Sequence, residues 1–168
     1  VRRLHLHVAD GRVQSVTADM GVPAVGGPRQ IRVMGQSYQV FPVSMGNPHG
    51  VVFLDSIERL ELPALGPAFE TSGIYTADGG NTEFTLIRAR ELLEVRVWER
   101  GSGETLACGT GACAALAAAA PAGLAARRAR VQMPGGLLEV QWEDDGHIYL
   151  TGPAETVYEG EWPEEGEP

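Results

Sequence analysis

The fold of this 168-residue chain is decided by the stretch Leu106-Ala107-Cys108-Gly109-Thr110-Gly111-Ala112-Cys113, which an alanine-rich run continues to Ala120. Alanine is the strongest helix former, so this run predicts a helix, and Pro121 ends it. Because no charged side chain follows before Arg127, we expect the helix to be buried on all sides. Cys108 would lie at its start, where unpaired N–H groups and the helix dipole favour a thiolate and suit a carboxylate or phosphate ligand.

Segments that alternate between apolar and polar residues surround this helix, with Gly, Pro and Asp turns between them. They predict two hairpins at the start of the chain, then three strands, and an antiparallel meander after the helix: 3–20, 31–43, 51–54, 82–89, 92–99, 131–134, 137–142 and 148–151. We also predict a short amphipathic helix over 55–62 that ends near Pro63, a loop over 66–80 and a last edge segment over 158–162. The fold class is therefore α+β, mostly antiparallel strands wrapped around one apolar helix.

Composition excludes several classes of function. The formal net charge of −9, with no cluster of basic residues, argues against a nucleic-acid binder. No apolar run approaches the roughly 18–20 residues of a membrane span. We expect no signal peptide, and two cysteines five residues apart do not make a disulfide framework, so we expect a cytoplasmic protein. Because the chain begins with Val1 inside a strand-like pattern, we expect a processed or truncated start.

Two further motifs carry polar side chains that could serve a site. The loop 44–50 places Asn47 and His49 between two strands, which is typical either of a ligand site or of an Asx-type turn with an exposed histidine. His5 and His7 share one face of a strand without a third ligand nearby, so we expect them to face solvent. Cys113, within the alanine run, is most simply a small core residue. No phosphate-binding or metal-binding motif is present, so we expect neither a metal nor a cofactor.

Four segments resemble the diaminopimelate epimerase family, and together they extend from Gly46 to Ala154. Residues 99–112 are similar to that family's second active-site segment, including Ala107-Cys108-Gly109-Thr110-Gly111-Ala112. The segment Met45-Gly46-Asn47-Pro48-His49 is similar to that family's G-N-P-H loop. Asn81 matches its substrate-binding asparagine before a strand, and Thr151-Gly152-Pro153-Ala154 is similar to its terminal T-G-P-A.

The resemblance implies an isomerase, independent of pyridoxal phosphate, that interconverts LL- and meso-diaminopimelate in the biosynthesis of lysine and peptidoglycan precursors. Two cysteines would face each other across the substrate, one taking the α-proton as a thiolate and the other donating a proton, and Cys108 matches the second cysteine. The catalytic residues implied are Cys108, Glu99 and His49. The substrate-binding residues implied are Asn47, Asn81, Glu99, Arg100, Gly109 and Thr110, and no cofactor or metal is implied.

The half of the family that carries the first cysteine is absent from this chain. We therefore predict that 1–154 form the C-terminal epimerase lobe, that 155–168 form an edge segment and acidic tail, and that the lobe's partner is the missing N-terminal lobe. The chain would be a truncated, cleaved or split enzyme that does not epimerise diaminopimelate alone; a homodimer is left open. A proline or hydroxyproline racemase is the alternative enzyme, and a lobe that binds an amino acid without converting it is the non-enzymatic alternative.

Overall fold

The computed structural model describes residues 3–75 and 79–161, which form mostly strands together with two helices. In chain order the elements are β1 (Leu4–Ala9), β2 (Arg12–Gly21), β3 (Ala24–Val25), β4 (Arg29–Val33), β5 (Gln36–Ser44), β6 (Pro48–Phe53), α1 (Leu62–Glu70), β7 (Asn81–Ala89), β8 (Leu92–Glu99), β9 (Gly103–Thr105), α2 (Gly109–Ala119), β10 (Arg128–Met133), β11 (Gly136–Trp142) and β12 (Ile148–Pro153). The α+β class and the predicted strands agree with this order of elements.

The strands of the described residues join in one sheet of order β1-β2-β12-β11-β10-β8-β7-β6-β5-β3, with β4 paired to β5 and β9 paired to β8. The hairpins β1–β2 and β4–β5 and the meander β10–β11–β12 are antiparallel, as predicted. Two pairings are parallel, β6 with β7 and β8 with β10. The helix α1 lies between the first two of these strands in the chain and α2 between the other two, because a parallel pairing needs a long crossover.

The part of the sheet from β5 to β8 is covered on both faces, and each face has its own core. The α2 core packs the helix α2 against small and β-branched side chains. The α1 core on the opposite face is richer in large side chains, including two aromatic pairs packed edge to face. The α2 core contains 112–119 with Val43, Val51, Leu93, Val95, Val97, Val131, Val140 and Ile148, and the α1 core contains Tyr38, Val40, Val52, Ile57, Leu62, Phe69, Phe84 and Leu86.

The helix α2 begins where the sequence predicts, with Cys108 as its N-cap residue. All its residues from Gly111 to Ala119 are buried, and it contacts the strands β5 to β8 and β10 to β12. Methyl groups are the largest side chains at all but two of these positions, so strands can approach the helix closely on several sides. No helix in the described part of the chain is long and apolar enough to cross a membrane.

The short helix predicted over 55–62 is wrong. The helix α1 instead begins at Leu62 and places Pro63 in its first turn, where the missing N–H of proline costs nothing. The preceding residues form turns whose carbonyl groups bind the guanidinium of Arg96, with 2.7 Å from Nη1 to the Ile57 oxygen and 3.1 Å to the Leu60 oxygen. An arginine from β8 therefore satisfies acceptors that a helix would otherwise have satisfied.

Two other predictions also need correction. The predicted loop over 66–80 is wrong for its first part, because residues 66–70 belong to α1; residues 76–78 of that loop lie outside the described residues. The edge segment predicted over 158–162 forms no strand over 158–161, and Trp162 lies outside the described residues. Tyr158 is 86% exposed, so this segment lacks the packing that a strand at a sheet edge needs.

Candidate active site

Cys108 lies at the junction between β9 and α2, on the extended backbone that caps the helix. Its side chain is 8% exposed, and its Sγ lies 3.5 Å from the Thr110 hydroxyl. The neighbouring Ala107 is exposed and Leu106 is 71% exposed, so the chain just before this buried cysteine lies at the surface. Gly109 and Thr110 contribute the first two backbone N–H groups of the helix, the groups that a helix leaves without a partner of its own.

The thiolate expected from the helix-start position is not the resting form of Cys108. Burial raises the pKa of its thiol to about 11, and the carboxyl groups of Glu83 and Glu99 act in the same direction. Hydrogen bonds from the Thr110 hydroxyl and the Gly111 N–H lower that pKa without reversing the shift. Desolvation therefore outweighs the helix terminus, and Cys108 is a thiol at neutral pH.

Asn81 connects Cys108 to the end of β8. Its Nδ2 lies 4.0 Å from Cys108 Sγ, and its Oδ1 accepts a hydrogen bond of 3.0 Å from the Arg100 backbone N–H. The antiparallel pairing of β7 with β8 places the first residue of one strand beside the last residues of the other, which explains this proximity. The Tyr75 hydroxyl donates to the Asn81 carbonyl at 2.8 Å and fixes the backbone at this position.

The loop that carries Asn47 and His49 reaches the same cysteine from the other side. Asn47 Nδ2 donates to Thr110 Oγ1 at 3.4 Å, and Asn47 Oδ1 lies 3.1 Å from His49 Nε2. His49 is 1% exposed, so the interpretation of this loop as a turn with an exposed histidine is wrong. The parallel pairing of β6 with β7, in which His49 is opposite Asn81, brings the two motifs together.

Sequence reasoning missed Glu83, which lies fully buried under this cluster. Its Oε1 is 2.6 Å from His49 Nδ1. The alternation of β7 places Phe84 in the α1 core and so predicts that Glu83 faces water, but the helix α2 covers that face. No signal in the sequence of β7 marks Glu83 as buried: the uninterrupted burial from Asn81 to Leu86, typical of a strand covered on both faces, is visible only in the structure.

The remaining predicted residues surround the cluster. Glu99 accepts a hydrogen bond from the Thr105 hydroxyl, and its charge acts on both Cys108 and Glu83. Arg100 is exposed, and its side chain extends past Gly79. The structure therefore brings together all eight residues predicted for the site: Asn47, His49, Asn81, Glu99, Arg100, Cys108, Gly109 and Thr110.

The other sequence candidates lie elsewhere. Cys113 is fully buried in the α2 core, as predicted. His5 and His7 are exposed on β1, and His7 Nε2 is 2.7 Å from the Thr17 hydroxyl. Over 3–75 and 79–161, no group of three or more His, Cys, Asp or Glu side chains is arranged to hold a metal ion.

Known proteins resemble this chain in sequence over nearly its whole length. The diaminopimelate epimerase of Phocaeicola vulgatus is 44% identical over 174 residues, which is 96% of this chain and 62% of that protein. The diaminopimelate epimerase of Bacteroides thetaiotaomicron is 45% identical over 166 residues, 96% of this chain and 60% of that protein. The chain therefore spans about 60% of the length of these curated relatives.

Solved structures share the fold at low sequence identity. A probable proline racemase from Agrobacterium radiobacter superposes with a TM-score of 0.69 at 17% identity, covering 94% of this chain and 58% of that one. A hydroxyproline epimerase from Agrobacterium vitis gives the same score and identity, with 88% and 52% covered. The sequence profile described as diaminopimelate epimerase matches residues 41–157, which contain the whole Cys108 cluster. With that match and relatives at 44–45% identity, the chain belongs to the diaminopimelate epimerase family.

Proposed function

We propose that this chain is one lobe of a diaminopimelate epimerase and that Cys108 is one of two groups that exchange a proton at the substrate's α-carbon. The observation that carries the proposal is the position of Cys108: a buried thiol at the N-terminus of α2, in contact with Asn81 and Thr110 and directly preceded by two exposed residues. A missing N-terminal lobe would supply the opposing cysteine. The sheet from β5 to β12 would curl around α2 to hold this thiol in place.

The roles of the site residues follow from their chemistry. The N–H groups of Gly109 and Thr110 would bind the carboxylate next to the reacting carbon, which a helix N-terminus favours. Charge that develops on that carboxylate during proton removal would be stabilised by the same fixed donors. The protonated Cys108 would return a proton to the α-carbon, and its raised pKa suits a donor that must hold its proton until the carbanion forms.

Diaminopimelate has a second amino-acid end, and this lobe offers polar groups to hold it. Asn47, Asn81, Glu99 and Arg100 lie around Cys108 and match the residues that the family resemblance implies for substrate binding. Neither a metal nor a cofactor is needed for this chemistry, because thiols and fixed N–H donors perform each step. A cytoplasmic location, a division into 1–154 and 155–168, and a homodimer stay predictions.

A proline or hydroxyproline racemase is the second candidate, because the solved structures of that description share the fold. Their 17% identity to this chain supports only the fold, whereas 44–45% identity favours diaminopimelate. A small cyclic amino acid would also leave Arg100 and the two asparagines without a second charged end to bind.

Calorimetry on the purified chain tests the proposal against both alternatives. LL- and meso-diaminopimelate, proline, hydroxyproline and glutarate would be titrated in turn into the wild-type chain and an Arg100→Ala variant. We expect binding of diaminopimelate alone, weakened at least about tenfold in the variant since a charged partner is lost. Binding of proline in preference would contradict the proposed substrate. Stereoinversion by the chain alone would contradict the need for a second lobe.

A further inference from the structure

Glu83 is a buried acid that the proposed chemistry does not use. Its side chain is fully buried in β7 and points beneath the first turn of α2. One carboxyl oxygen, Oε1, lies 2.6 Å from His49 Nδ1, and a Cβ added to Gly111 would lie 2.8 Å from the same oxygen. The other oxygen, Oε2, has no hydrogen-bond partner among the described residues. The carboxyl group is therefore confined between His49 and the start of the helix that carries the Cys108 site.

Stability alone does not account for an acid at this position. Burial raises the pKa of Glu83, and the nearby His49 only partly offsets the effect. A buried ion pair is often no more stabilising than apolar side chains of the same volume, and the surrounding α2 core consists of such side chains. The pair also leaves one oxygen unsatisfied, which costs free energy.

A series of hydrogen bonds connects Glu83 to Cys108 through other side chains, and only one assignment of donors and acceptors satisfies all of them. Asn47 Oδ1 can only accept, so His49 Nε2 must carry a proton and donate it at 3.1 Å. One further proton is then shared between His49 Nδ1 and Glu83 Oε1, whichever of the two holds it. Asn47 Nδ2 donates to Thr110 Oγ1, which leaves the hydroxyl hydrogen of Thr110 free to point at Cys108 Sγ.

We propose that Glu83 is a positioning residue for Cys108: by holding His49 Nδ1, it fixes the direction of the hydrogen bonds through Asn47 and Thr110, so that the Thr110 hydroxyl donates to the cysteine sulfur. The proposal rests on Cys108 being the reacting group of the proposed function. Without Glu83 the imidazole loses its fixed partner, and the Asn47 amide can turn over. Its oxygen would then accept from Thr110 and draw the hydroxyl hydrogen away from Cys108.

Several ionisable groups surround Glu83. They are His49 on β6, Glu99 at the end of β8, Cys108 before α2 and Tyr75 after α1. The charge of Glu83 itself raises the pKa of Cys108. A single substitution of Glu83 therefore changes charge and hydrogen bonding together, and two neutral variants are needed to separate these effects.

The test compares Glu83→Gln with Glu83→Leu in the full chain carrying Cys113→Ala, so that only Cys108 reacts. Glutamine can donate to His49 Nδ1 and keeps the direction of the hydrogen bonds, whereas leucine keeps the volume and cannot. The readout is the rate of iodoacetamide alkylation as a function of pH. We expect the Cys108 pKa in the leucine variant to exceed that in the glutamine variant by about 1–2 units, the value of one hydrogen bond to the charged thiolate. Equal profiles would overturn the proposal, since charge or packing alone would then explain Glu83.

A double-mutant cycle with Thr110→Val provides a second test of whether Glu83 acts through Thr110. If Glu83 acts through Thr110, the difference in Cys108 pKa between Glu83→Leu and Glu83→Gln is present with Thr110 intact and disappears in the Thr110→Val background. The same difference in both backgrounds would overturn the proposal. Thr85→Val, a buried substitution two residues along the same strand, is the matched control and should leave the profile unchanged.

A measurement on the unsubstituted chain decides the question if the leucine variant does not fold. Long-range ¹H–¹⁵N spectra report which ring nitrogen of His49 carries a proton. The proposal requires a protonated Nε2 throughout the folded range of pH, and an unprotonated Nε2 would overturn it. None of these measurements uses a substrate. Failure to bind diaminopimelate would therefore contradict the proposed function, while the role of Glu83 would still be decided by the measurements above.

Discussion

The two faces of β7 show how one strand serves both stability and chemistry. Phe84 and Leu86 enter the α1 core, where the Phe84 ring packs edge to face on Phe69 with 5.3 Å between the ring centroids. Asn81 and Glu83 point to the opposite face, towards Cys108 and His49. Both faces are buried, so burial does not distinguish them. The difference lies in side-chain polarity, because β7 presents apolar side chains to the α1 core and polar side chains to the start of α2.

This contrast explains why the site lies where it does. The small residues of α2 let the helix start approach β7 closely enough for polar side chains to meet beneath it. Gly111 is essential to that approach, because a methyl group there would meet both Glu83 and the Cys108 Cβ, the latter at 3.3 Å. The α1 core, on the other face of the sheet, contains packed aromatic side chains. Each of them contributes more free energy of folding than a small side chain of α2 does. The predictions below test this division of roles.

Phe84→Ala should have the largest effect. Removing a fully buried ring from the α1 core should lower the free energy of unfolding by about 3–5 kcal/mol, because apolar contacts are lost and a cavity remains. Denaturant titration measures the change, and Leu137→Ala, at a side chain 41% exposed, is the control. A loss under about 1 kcal/mol would contradict the importance of this core.

Gly66→Ala should cause the next largest loss in the free energy of unfolding. A Cβ at this position of α1 would overlap the Trp98 ring, so the helix must move away from the sheet, at a cost of about 1–3 kcal/mol. Gly27→Ala is the matched control, because a Cβ there meets nothing within 4 Å. Under native conditions the alkylation profile of Cys108 should be the same in both variants. A shift in Gly66→Ala alone would show that the two faces of the sheet are coupled.

The rate at which Cys108 is alkylated should depend strongly on pH, without a large change in the free energy of unfolding. Because its pKa is about 11, the alkylation rate of the folded wild-type chain should rise about tenfold per pH unit through neutral pH. Thr110→Val should move this profile to higher pH, since a donor to the sulfur is lost. A rate that has already levelled off below about pH 8 would mean that the helix terminus outweighs burial.

The smallest effect is expected outside both cores, at the partly exposed pair of His147 and Asp19. Their hydrogen bond of 2.8 Å raises the pKa of His147. The pair therefore stabilises the fold below the unfolded-state pKa of about 6.5, and the contribution disappears as the pH rises through the higher folded-state value. Denaturation midpoints of wild type and His147→Ala should differ at about pH 5 and converge at about pH 8 or above. A difference that grows with pH would reverse the assigned sign.

Sequence predicted the elements whose signals are local. The alanine run and Cys108 at its start predicted the bounds of α2 closely, and alternation predicted the hairpins and the meander. The prediction that a helix ends near Pro63 is wrong, because proline is compatible with the first turn of a helix as well as with the residues after its end. Nothing local indicated that Arg96, distant in the chain, would bind the carbonyl groups before α1.

The site was predictable in its residues but not in its electrostatics. The resemblance to the diaminopimelate epimerase family named the residues that meet at Cys108, and its motifs lie at the ends of strands and at the start of a helix. The raised pKa of Cys108 and the burial of Glu83 depend on which elements cover the second face of the sheet, and local sequence does not contain that information. The helix-start argument gave the opposite protonation state because it left out desolvation.

The most direct test of the central claim is hydrogen exchange at the α-carbon. A chimera would join this chain to the part of the Phocaeicola vulgatus relative that it does not cover, and LL-diaminopimelate would be incubated with it in deuterium oxide. We predict deuterium at the inverted α-carbon of meso-diaminopimelate with the chimera and with its Cys113→Ala variant. With Cys108→Ala the rate of this inversion should be lower by at least about 100-fold, because the opposing cysteine alone can return deuterium only to the face from which it removed the proton. Inversion at an unchanged rate in Cys108→Ala would contradict the assignment of Cys108 as a reacting thiol.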